Sequence, residues 1–296
     1  MRGPQLRGTC QRARALRFSK EFDFEIWQDR LKIVALDLRN LSELQHFIAY
    51  LNENEAHLDI IINNAAQTIK RPSAFYQHLF AAENAPLPTE IQKIMAFDKA
   101  FTFLDSPLEQ KRLPYQSETA FPEGQLDKDR QQIDLREVNS WTTLLDEVSP
   151  IEMLETQLVN VTAPFMLNSL LKPLMLKSPF ERRFIINVSA MEGQFSRAYK
   201  GPGHPHTNMA KAALNMLTRT SAEELSNDGI LMTAVDTGWI TDERPHVTKV
   251  RLADEGFHAP LDLVDGAARV YDPIIRGEQG EDIYGCFLKD FEPAPW

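Results

Sequence analysis

Short apolar runs and longer amphipathic stretches alternate along most of the chain. The apolar runs, each bounded by turn residues, predict buried strands at 31–36, 58–62, 184–188, 231–235 and 282–288. The amphipathic stretches carry apolar residues at helical spacing and predict helices at 42–52, 151–176, 207–225 and 263–275. This alternation is typical of an α/β doubly wound fold, in which helices cover both faces of a parallel sheet.

The alternation breaks between about residues 67 and 148, where prolines, charges and aromatic residues mix without a strand period. Such a break predicts a long insertion after the strand that ends in Asn-Asn-Ala. Within the insertion, one apolar face predicts an amphipathic helix between Thr89 and Phe103, and 108–129 is expected to be an extended loop. We therefore predict one domain over 1–296, interrupted once.

Composition narrows the class of ligand. The formal net charge of −10 disfavours nucleic acid and anionic membranes, since phosphate binding depends on Lys and Arg. The longest apolar runs are shorter than the roughly 18 residues that span a bilayer. A small-molecule substrate is the better expectation.

Cysteine usage and the first residues bear on the compartment. Cys10 and Cys286 are the two cysteines, too few for a disulfide framework and without the clustering of a zinc site. This favours a reducing, cytoplasmic setting, and no metal is expected. Residues 1–20 contain arginines and a lysine but no acidic residue, a composition that a mitochondrial transit peptide shares.

Ligands of doubly wound folds bind beyond the carboxyl ends of the strands. The residues at the predicted strand ends are Asp37, Asn63-Asn64-Ala65-Ala66, Ser189 and Asp236-Thr237-Gly238-Trp239-Ile240, and Asn208-Met209-Ala210-Lys211-Ala212-Ala213 opens a helix between the last two. In this order and spacing they resemble the short-chain dehydrogenase/reductase family over nearly the whole chain outside the insertion. The resemblance implies a Rossmann-like fold and hydride transfer between NADP (or NAD) and a carbonyl or alcohol.

The resemblance also implies which residues bind the cofactor. They are Asp37 with its neighbour Leu38 at the adenine, Asn63, Asn64 and Ala65 along the adenosine, Lys211 at the nicotinamide ribose, and Thr237, Gly238, Trp239 and Ile240 along the nicotinamide. Two positions depart from the family pattern, because Ala66 replaces a glycine and Thr237 a proline. Taken one at a time, Asp37 or the Asn pair could equally be a turn residue.

Catalytic roles follow from the same resemblance. Asn160 matches the helix asparagine that supports a proton-relay water, and the nearby Pro164 favours a locally broken helix. Lys211 matches the lysine that lowers the pKa of a catalytic tyrosine. Ser189 is the hydroxyl nearest the position that polarises the substrate oxygen, which Ala190 occupies here, or it simply ends the strand.

The catalytic tyrosine is replaced. Four residues before Lys211 stands Thr207, whose hydroxyl has a pKa too high for general acid catalysis near neutral pH. His206, an imidazole that titrates in the right range, and Tyr199 in the preceding loop are the candidate proton donors. Both are equally compatible with ordinary loop or packing roles.

The family's first strand and its glycine-rich phosphate-binding loop have no counterpart before Asp37. The preceding residues instead fit the family's second strand at 12–18 and a helix at 22–29, so the first βα unit is missing and cofactor binding is expected to be weak. Arg17 would then end a strand, where a basic residue favours the 2′-phosphate of NADP. It could also be an exposed edge residue.

Three hypotheses remain from the sequence. The first is an NADP-dependent oxidoreductase of the short-chain type. The second is a non-catalytic relative that acts through protein association, and the third is a truncated or alternatively spliced fragment. The resemblance implies a homodimer or homotetramer that uses the helices at 151–176 and 207–225.

Overall fold

A computed structural model of the chain describes residues 11–76, 88–96, 120–122, 124–127 and 132–296. Its strands are β1 (Ile33–Val34), β2 (Ile60–Asn63), β3 (Met95–Ala96), β4 (Arg183–Ser189), β5 (Ile230–Asp236), β6 (Phe287–Lys289) and β7 (Glu292–Ala294). Its α-helices are α1 (Gln11–Phe18), α2 (Phe24–Trp27), α3 (Leu41–Asn54), α4 (Thr89–Gln92), α5 (Pro150–Gln157), α6 (Ala163–Leu170), α7 (Lys172–Met175), α8 (Pro205–Ser226), α9 (His246–Asp254) and α10 (Leu263–Glu278). A π-helical turn, Leu158–Thr162, joins α5 to α6.

Five of these strands form a sheet in the order β2-β4-β5-β6-β7, and β1 and β3 form a separate two-stranded sheet. The first four strands are parallel, and β7 turns back antiparallel to β6. In this register Ser189 lies beside Asp236, and Asp236 lies beside Lys289. The predicted parallel sheet is therefore confirmed, and the carboxyl ends of its strands share one edge.

Both faces of the central strands are buried, which explains why β4 and β5 are apolar almost throughout rather than alternating. One face packs against α3, α7 and α8, with Ile185 and Met232 at its centre. The opposite face packs against α10, with Phe184, Ile186 and Ile274 in contact. The two long helices α8 and α10 thus lie on opposite sides of the strands that carry the candidate site.

Helix α10 approaches the sheet closely because it presents glycines to it. A Cβ at Gly266 would overlap the side chain of Ile240, and a Cβ at Gly277 would overlap the ring of Phe184. The close approach places the first turn of α10 next to the residues that follow β5.

The beginning of the described chain corrects one expectation. The strand predicted at 12–18 is wrong, because these residues form α1. Gln, Arg, Ala and Leu are good helix formers, and Ala15 packs in a small apolar cluster with Ile33, Ile91 and Ile94. Arg17 therefore lies in the last turn of a helix, with its guanidinium 4.7 Å from the ring centroid of Phe18, and not at a strand end.

The insertion also differs from its prediction. The helix expected between Thr89 and Phe103 ends as α4 after one turn, and Met95 and Ala96 form β3, which pairs in parallel with β1. Residues 97–103 and most of the predicted loop at 108–129 lie outside the described residues. Pairing with β1 overrides the helical periodicity here.

The strand predicted at 31–36 is limited to Ile33–Val34, and the helix predicted at 151–176 is divided into α5, the π-helical turn, α6 and α7. Further differences lie in the last third of the chain. The final strand is shorter than predicted, with only residues 287–289 paired instead of 282–288. Helix α9 and strand β7 were not predicted. In the part of the chain that is described, no helix is long and apolar enough to cross a bilayer.

The close packing of α10 gives a first prediction. Gly277→Ala should destabilise the fold by about 1–3 kcal/mol, because the added methyl group overlaps the buried ring of Phe184. Glu278→Ala, at the next and exposed position, is the matched control and should stay within about 0.5 kcal/mol. Urea unfolding followed by circular dichroism measures both, and equal midpoints for the two variants would contradict the packing described.

Candidate active site

A ladder of buried side-chain hydrogen bonds crosses the sheet at its carboxyl end. Asn63 on β2 donates to Asn168 Oδ1 on α6 at 2.7 Å and to Asn187 Oδ1 on β4 at 2.8 Å. Asn187 in turn donates to Thr218 Oγ1 on α8 at 3.0 Å. The ladder thus fixes two strands and two helices relative to one another, directly below the strand ends.

Asn160 lies in the π-helical turn and bonds to the segment that follows β2. The Oδ1 atom of this buried residue accepts a hydrogen bond from the backbone N–H of Gln67 at 2.6 Å, and its Nδ2 donates to the Gln67 carbonyl at 3.1 Å. The side chain therefore holds the segment after β2 as a backbone strand would. The break predicted near Pro164 is present as this turn, Leu158–Thr162.

Two predicted catalytic residues meet at the end of β4. Ser189 is buried and donates from its hydroxyl to Asn215 Oδ1 on α8 at 2.5 Å. Lys211, one turn earlier on α8, is also buried and donates from Nζ to the carbonyl of Val188 at 2.8 Å. The hydroxyl of Ser189 and the ammonium group of Lys211, which bonds to the adjacent Val188, thus lie at the same strand end.

Thr207, in place of the expected tyrosine, and the adjacent His206 are both buried. The hydroxyl of Thr207 is buried, and none of the described residues hydrogen-bonds to it. His206 is 2% exposed, and its Nε2 lies 3.6 Å from Glu152 Oε1 on α5, at ion-pair distance. Ser140 also hydrogen-bonds to Glu152. His206 therefore faces into the protein, towards α5.

The contact with His206 affects the pKa of Glu152. Burial raises the pKa of its carboxyl, but His206, Ser140 and Lys70 favour the charged form and together hold the pKa below its ordinary value. The result is an ionised, partly buried carboxylate on α5 that faces α8. Sequence reasoning missed Glu152, because nothing in the local pattern relates it to His206 more than fifty residues later.

A second imidazole lies at the start of α8. His204 has a left-handed backbone, with φ of 45°, and its Nδ1 lies 2.8 Å from the carbonyl oxygen of Trp141. Its ring stacks on the indole of Trp141, with centroids 3.9 Å apart and planes 12° apart. Burial lowers the pKa of His204 below its ordinary value, although the Trp141 contact opposes this.

The loop between β4 and α8 is held by bonds within it and by bonds to the end of the chain. Lys200 donates to the carbonyls of Met191 and Glu192, and the adjacent Tyr199 is 76% exposed. The backbone N–H groups of 195 and 196 donate to the carbonyl of Trp296 at 3.2 and 3.1 Å. The loop is thus fastened to Trp296, which follows β7.

Asp37 lies in an ion-pair network. Arg39 forks onto both carboxylate oxygens of Asp37 and also reaches Glu155 Oε1 on α5 at 3.1 Å. Lys70 binds the other oxygen of Glu155 at 3.2 Å. Leu38, between Asp37 and Arg39, packs against the apolar core. The carboxylate predicted to face adenine is therefore engaged by Arg39.

The end of β5 is shaped by a tight turn. The buried Asp236 accepts a hydrogen bond from the N–H of Gly238, whose φ of 74° suits glycine. Burial raises the pKa of Asp236 above its ordinary value, although the Gly238 N–H opposes this. Beyond the turn, Trp239 packs on Phe257 at 4.8 Å between centroids, and Arg244 lies 5.1 Å from both rings.

A cavity of about 400 Å³ opens beside the strand ends, on the face that α10 covers. Asn64, Thr237 and Ile240, three residues of the predicted cofactor set, line it together with apolar side chains such as Ile62 and the ring of Tyr271. The cavity is thus mainly apolar, with Asn64 and Thr237 among its polar lining residues.

The predicted residues therefore fall into separate groups. Ser189, Lys211, Asn160 and Asn63 lie on the α8 side of the sheet, whereas Asn64, Thr237 and Ile240 line the cavity on the other side. Ala65 is exposed beside Asn64. Arg17 lies on α1, and this helix packs through Ala15 in a separate apolar cluster with β1 and α4.

The chain is similar in sequence and in fold to known proteins. Residues 139–256 match the family described as enoyl-(acyl carrier protein) reductase. Among solved structures, the carbonyl reductase Sniffer of D. melanogaster has a TM-score of 0.54 and 18% identity, covering 96% of this chain and 85% of that one. A putative short-chain dehydrogenase/reductase from Burkholderia multivorans with bound NADP has a TM-score of 0.53 and 16% identity, covering 92% and 80%.

The chain shares its fold with this carbonyl reductase and with this putative short-chain dehydrogenase/reductase. The NADPH-bound carbonyl reductase from chicken fatty liver has the same fold, with a TM-score of 0.52 and 17% identity over 94% of this chain and 84% of that one. An uncharacterized protein of Acanthamoeba polyphaga mimivirus is 28% identical over 273 residues, which is 89% of this chain and 52% of that protein. The chain thus spans about half the length of the curated relative that it matches.

The amide ladder gives a second prediction. Asn187→Leu should cost about 2–4 kcal/mol, because it leaves the buried amide groups of Asn63 and Asn168 without their shared acceptor. The exposed Asn54→Leu is the control and should change the unfolding free energy by less than about 0.5 kcal/mol. Chemical denaturation of both variants tests this, and a loss below 1 kcal/mol for Asn187→Leu would refute the ladder's importance.

Glu152 gives a third prediction. Because the folded-state pKa of this carboxyl is lowered, its stabilising effect is present above the unfolded pKa of about 4.3 and is lost as the pH falls through the folded pKa. Glu152→Gln should therefore destabilise the protein by about 1–3 kcal/mol at pH 7, and the difference should shrink towards pH 3. Unfolding curves at several pH values measure this. The exposed Glu255→Gln should show neither effect, and a pH-independent loss for Glu152→Gln would contradict the assignment.

Proposed function

We propose that this chain is an NADP(H)-dependent oxidoreductase of the short-chain type that interconverts a small carbonyl compound and its alcohol. The observation that carries the proposal is the pairing of Ser189 and Lys211 at one strand end, held by Asn215 and by the Val188 carbonyl. Asn160 fixes the segment that leads from β2 towards this end.

The residues present suit a nicotinamide cofactor. The cavity lined by Asn64, Thr237 and Ile240 offers an apolar face and two polar groups for the ring and its carboxamide. Two of the solved structures with this fold hold NADPH or NADP, which supports the phosphorylated form. When bound, the reduced cofactor supplies the hydride.

The chain's own residues supply the remaining chemistry. Ser189 donates its hydroxyl hydrogen to the substrate oxygen in place of Asn215 Oδ1, which orients the carbonyl carbon. Lys211 holds the cofactor's ribose and contributes a positive charge close to the oxygen on which negative charge develops. Burial of both residues strengthens these interactions, because little water screens them.

Oligomer formation belongs to the same proposal. Helices α5, α6 and α8 expose large apolar side chains, namely Leu154, Phe165, Met209 and Met216. Exposed apolar side chains of this kind are typical of surfaces that bind a partner. We therefore propose a homodimer or homotetramer through these helices, acting in the cytoplasm, where a free thiol such as Cys286 stays reduced.

A non-catalytic role is the second candidate, and Thr207 is the observation that favours it. Its hydroxyl cannot supply a proton near neutral pH, and it is buried. Under this alternative the fold binds protein partners through its exposed helices. Cofactor binding and turnover distinguish the two candidates.

The fourth prediction tests the proposed function. NADPH should bind with micromolar affinity in calorimetric titration, and a panel of small aldehydes and ketones should reveal NADPH oxidation at 340 nm. Lys211→Ala should lower kcat/KM by about 100-fold or more, because it removes the ribose contact and the charge together. Lys177→Ala, an exposed lysine, should retain full activity.

Melting temperatures measured alongside distinguish a lost contact from a lost fold. A parent protein that neither binds NADPH nor turns over any carbonyl would refute the oxidoreductase proposal and favour the non-catalytic alternative.

A further inference from the structure

His204 stands three residues before Thr207 in a backbone conformation that only its surroundings can maintain. Its φ of 45° lies in the left-handed region, which costs a residue with a side chain about 1–2 kcal/mol. The N–H of His204 donates to the Thr143 carbonyl at 2.9 Å, and a Cβ at Gly203 would lie only 2.9 Å from the Trp141 carbonyl oxygen. Strain that is maintained in this way is common at functional sites.

The imidazole of His204 is held in one orientation and one tautomer. A carbonyl oxygen only accepts hydrogen bonds, so the 2.8 Å contact with Trp141 requires the proton on Nδ1. The neutral ring therefore carries its lone pair on Nε2. Stacking on the Trp141 indole fixes the plane of the ring. This is the arrangement by which a third group usually orients a catalytic histidine.

The charged groups around His204 lie on the loop that follows Ser189 and on α8. Glu192 lies on the short turn directly after β4 and favours the protonated ring, whereas Lys200 in the same loop and His206 on α8 oppose it. From the segment before α5, the Trp141 carbonyl faces Nδ1. His204 therefore lies between this segment and the loop that begins at the candidate catalytic serine.

The other candidate proton donors are placed differently. His206 is 2% exposed and faces Glu152 on α5. Tyr199 is 76% exposed. His204 is partly exposed and firmly held, the combination that a group in contact with substrate requires.

We infer that His204 exchanges the proton with the substrate oxygen through Nε2, in the role that Thr207 cannot perform; the inference rests on the proposed oxidoreductase function. In the reductive direction, a C–H bond forms at the carbonyl carbon as it receives the hydride from the reduced nicotinamide, which is oxidised. The carbonyl π pair takes the proton of the Nε2–H bond, so an O–H bond forms and a neutral imidazole remains. Alcohol oxidation reverses each change, with neutral Nε2 accepting the hydroxyl proton.

His204→Asn is the informative substitution. Asparagine tolerates the left-handed backbone and carries an amide that can donate to the Trp141 carbonyl, but it does not titrate. We expect kcat to fall about 100-fold or more, while the NADPH dissociation constant and the melting temperature stay within twofold and 2 °C of the parent values. His46→Gln, an exposed histidine on α3, should behave as the parent does.

The pH dependence supplies a readout that a structural role would not change. Since burial lowers the pKa of His204, the rate of alcohol oxidation by the parent should rise with pH, with its midpoint below the ordinary imidazole value of about 6.5, and carbonyl reduction should fall over the same range. Glycine also tolerates the left-handed backbone. In the His204→Gly variant, added imidazole should therefore restore part of the lost rate. His204→Asn should lose this pH dependence.

A readout independent of turnover comes from ¹⁵N-histidine spectra of the full chain, with the His204 signals assigned from the His204→Asn spectrum. They should show a neutral ring protonated at Nδ1 at pH 7. An Nε2-protonated tautomer would overturn the inference. So would a His204→Asn variant with parental kcat and pH profile, and in that case the oxidoreductase proposal would stand. A parent that does not bind NADPH would overturn both.

Discussion

The hydrogen-bond ladder of Asn63, Asn168 and Asn187 is the constraint on which the site depends. Amide groups buried this deeply must be paired, since each unpaired one costs about 1–3 kcal/mol. Pairing all of them is possible only when β2, β4, α6 and α8 adopt one relative position. The ladder therefore selects a single register for the sheet, and that register carries Ser189 and Lys211 to the same strand end.

The site is divided between the two faces of the sheet. On the α8 side the residues are polar and paired with one another, while the cavity on the α10 side is mainly apolar. A ligand that uses both must lie across the strand ends, with its flat apolar part in the cavity and its reacting atoms towards Ser189. This separation of polar and apolar residues suits a cofactor and a substrate that meet at one edge of the sheet. Asp236 lies at that edge, beside Ser189.

Much of the fold could be predicted because its signals are local. Strands β4 and β5 and helix α8 are long, strongly patterned elements, and their predicted limits agree with the structure within two residues. The prediction of a strand in the region of α1 goes against its helix-forming residues, and the packing partner of this region, Ile91, lies in the insertion, beyond any local window. The same holds for the site: Lys211 stands in a recognisable motif, whereas Glu152 and Trp141 acquire their roles only through contact with residues 54 and 63 positions away.

The attachment of the loop after Ser189 to Trp296 bears on how the protein folds. The Gln194 side chain bonds to the Pro295 carbonyl across a sequence separation of 101 residues, and the backbone bonds to Trp296 span a similar distance. Closing loops of that size costs chain entropy before any contact offsets it, so these contacts form late and slowly. During synthesis, the loop after Ser189 can therefore acquire these anchors only once the chain has been made through Trp296.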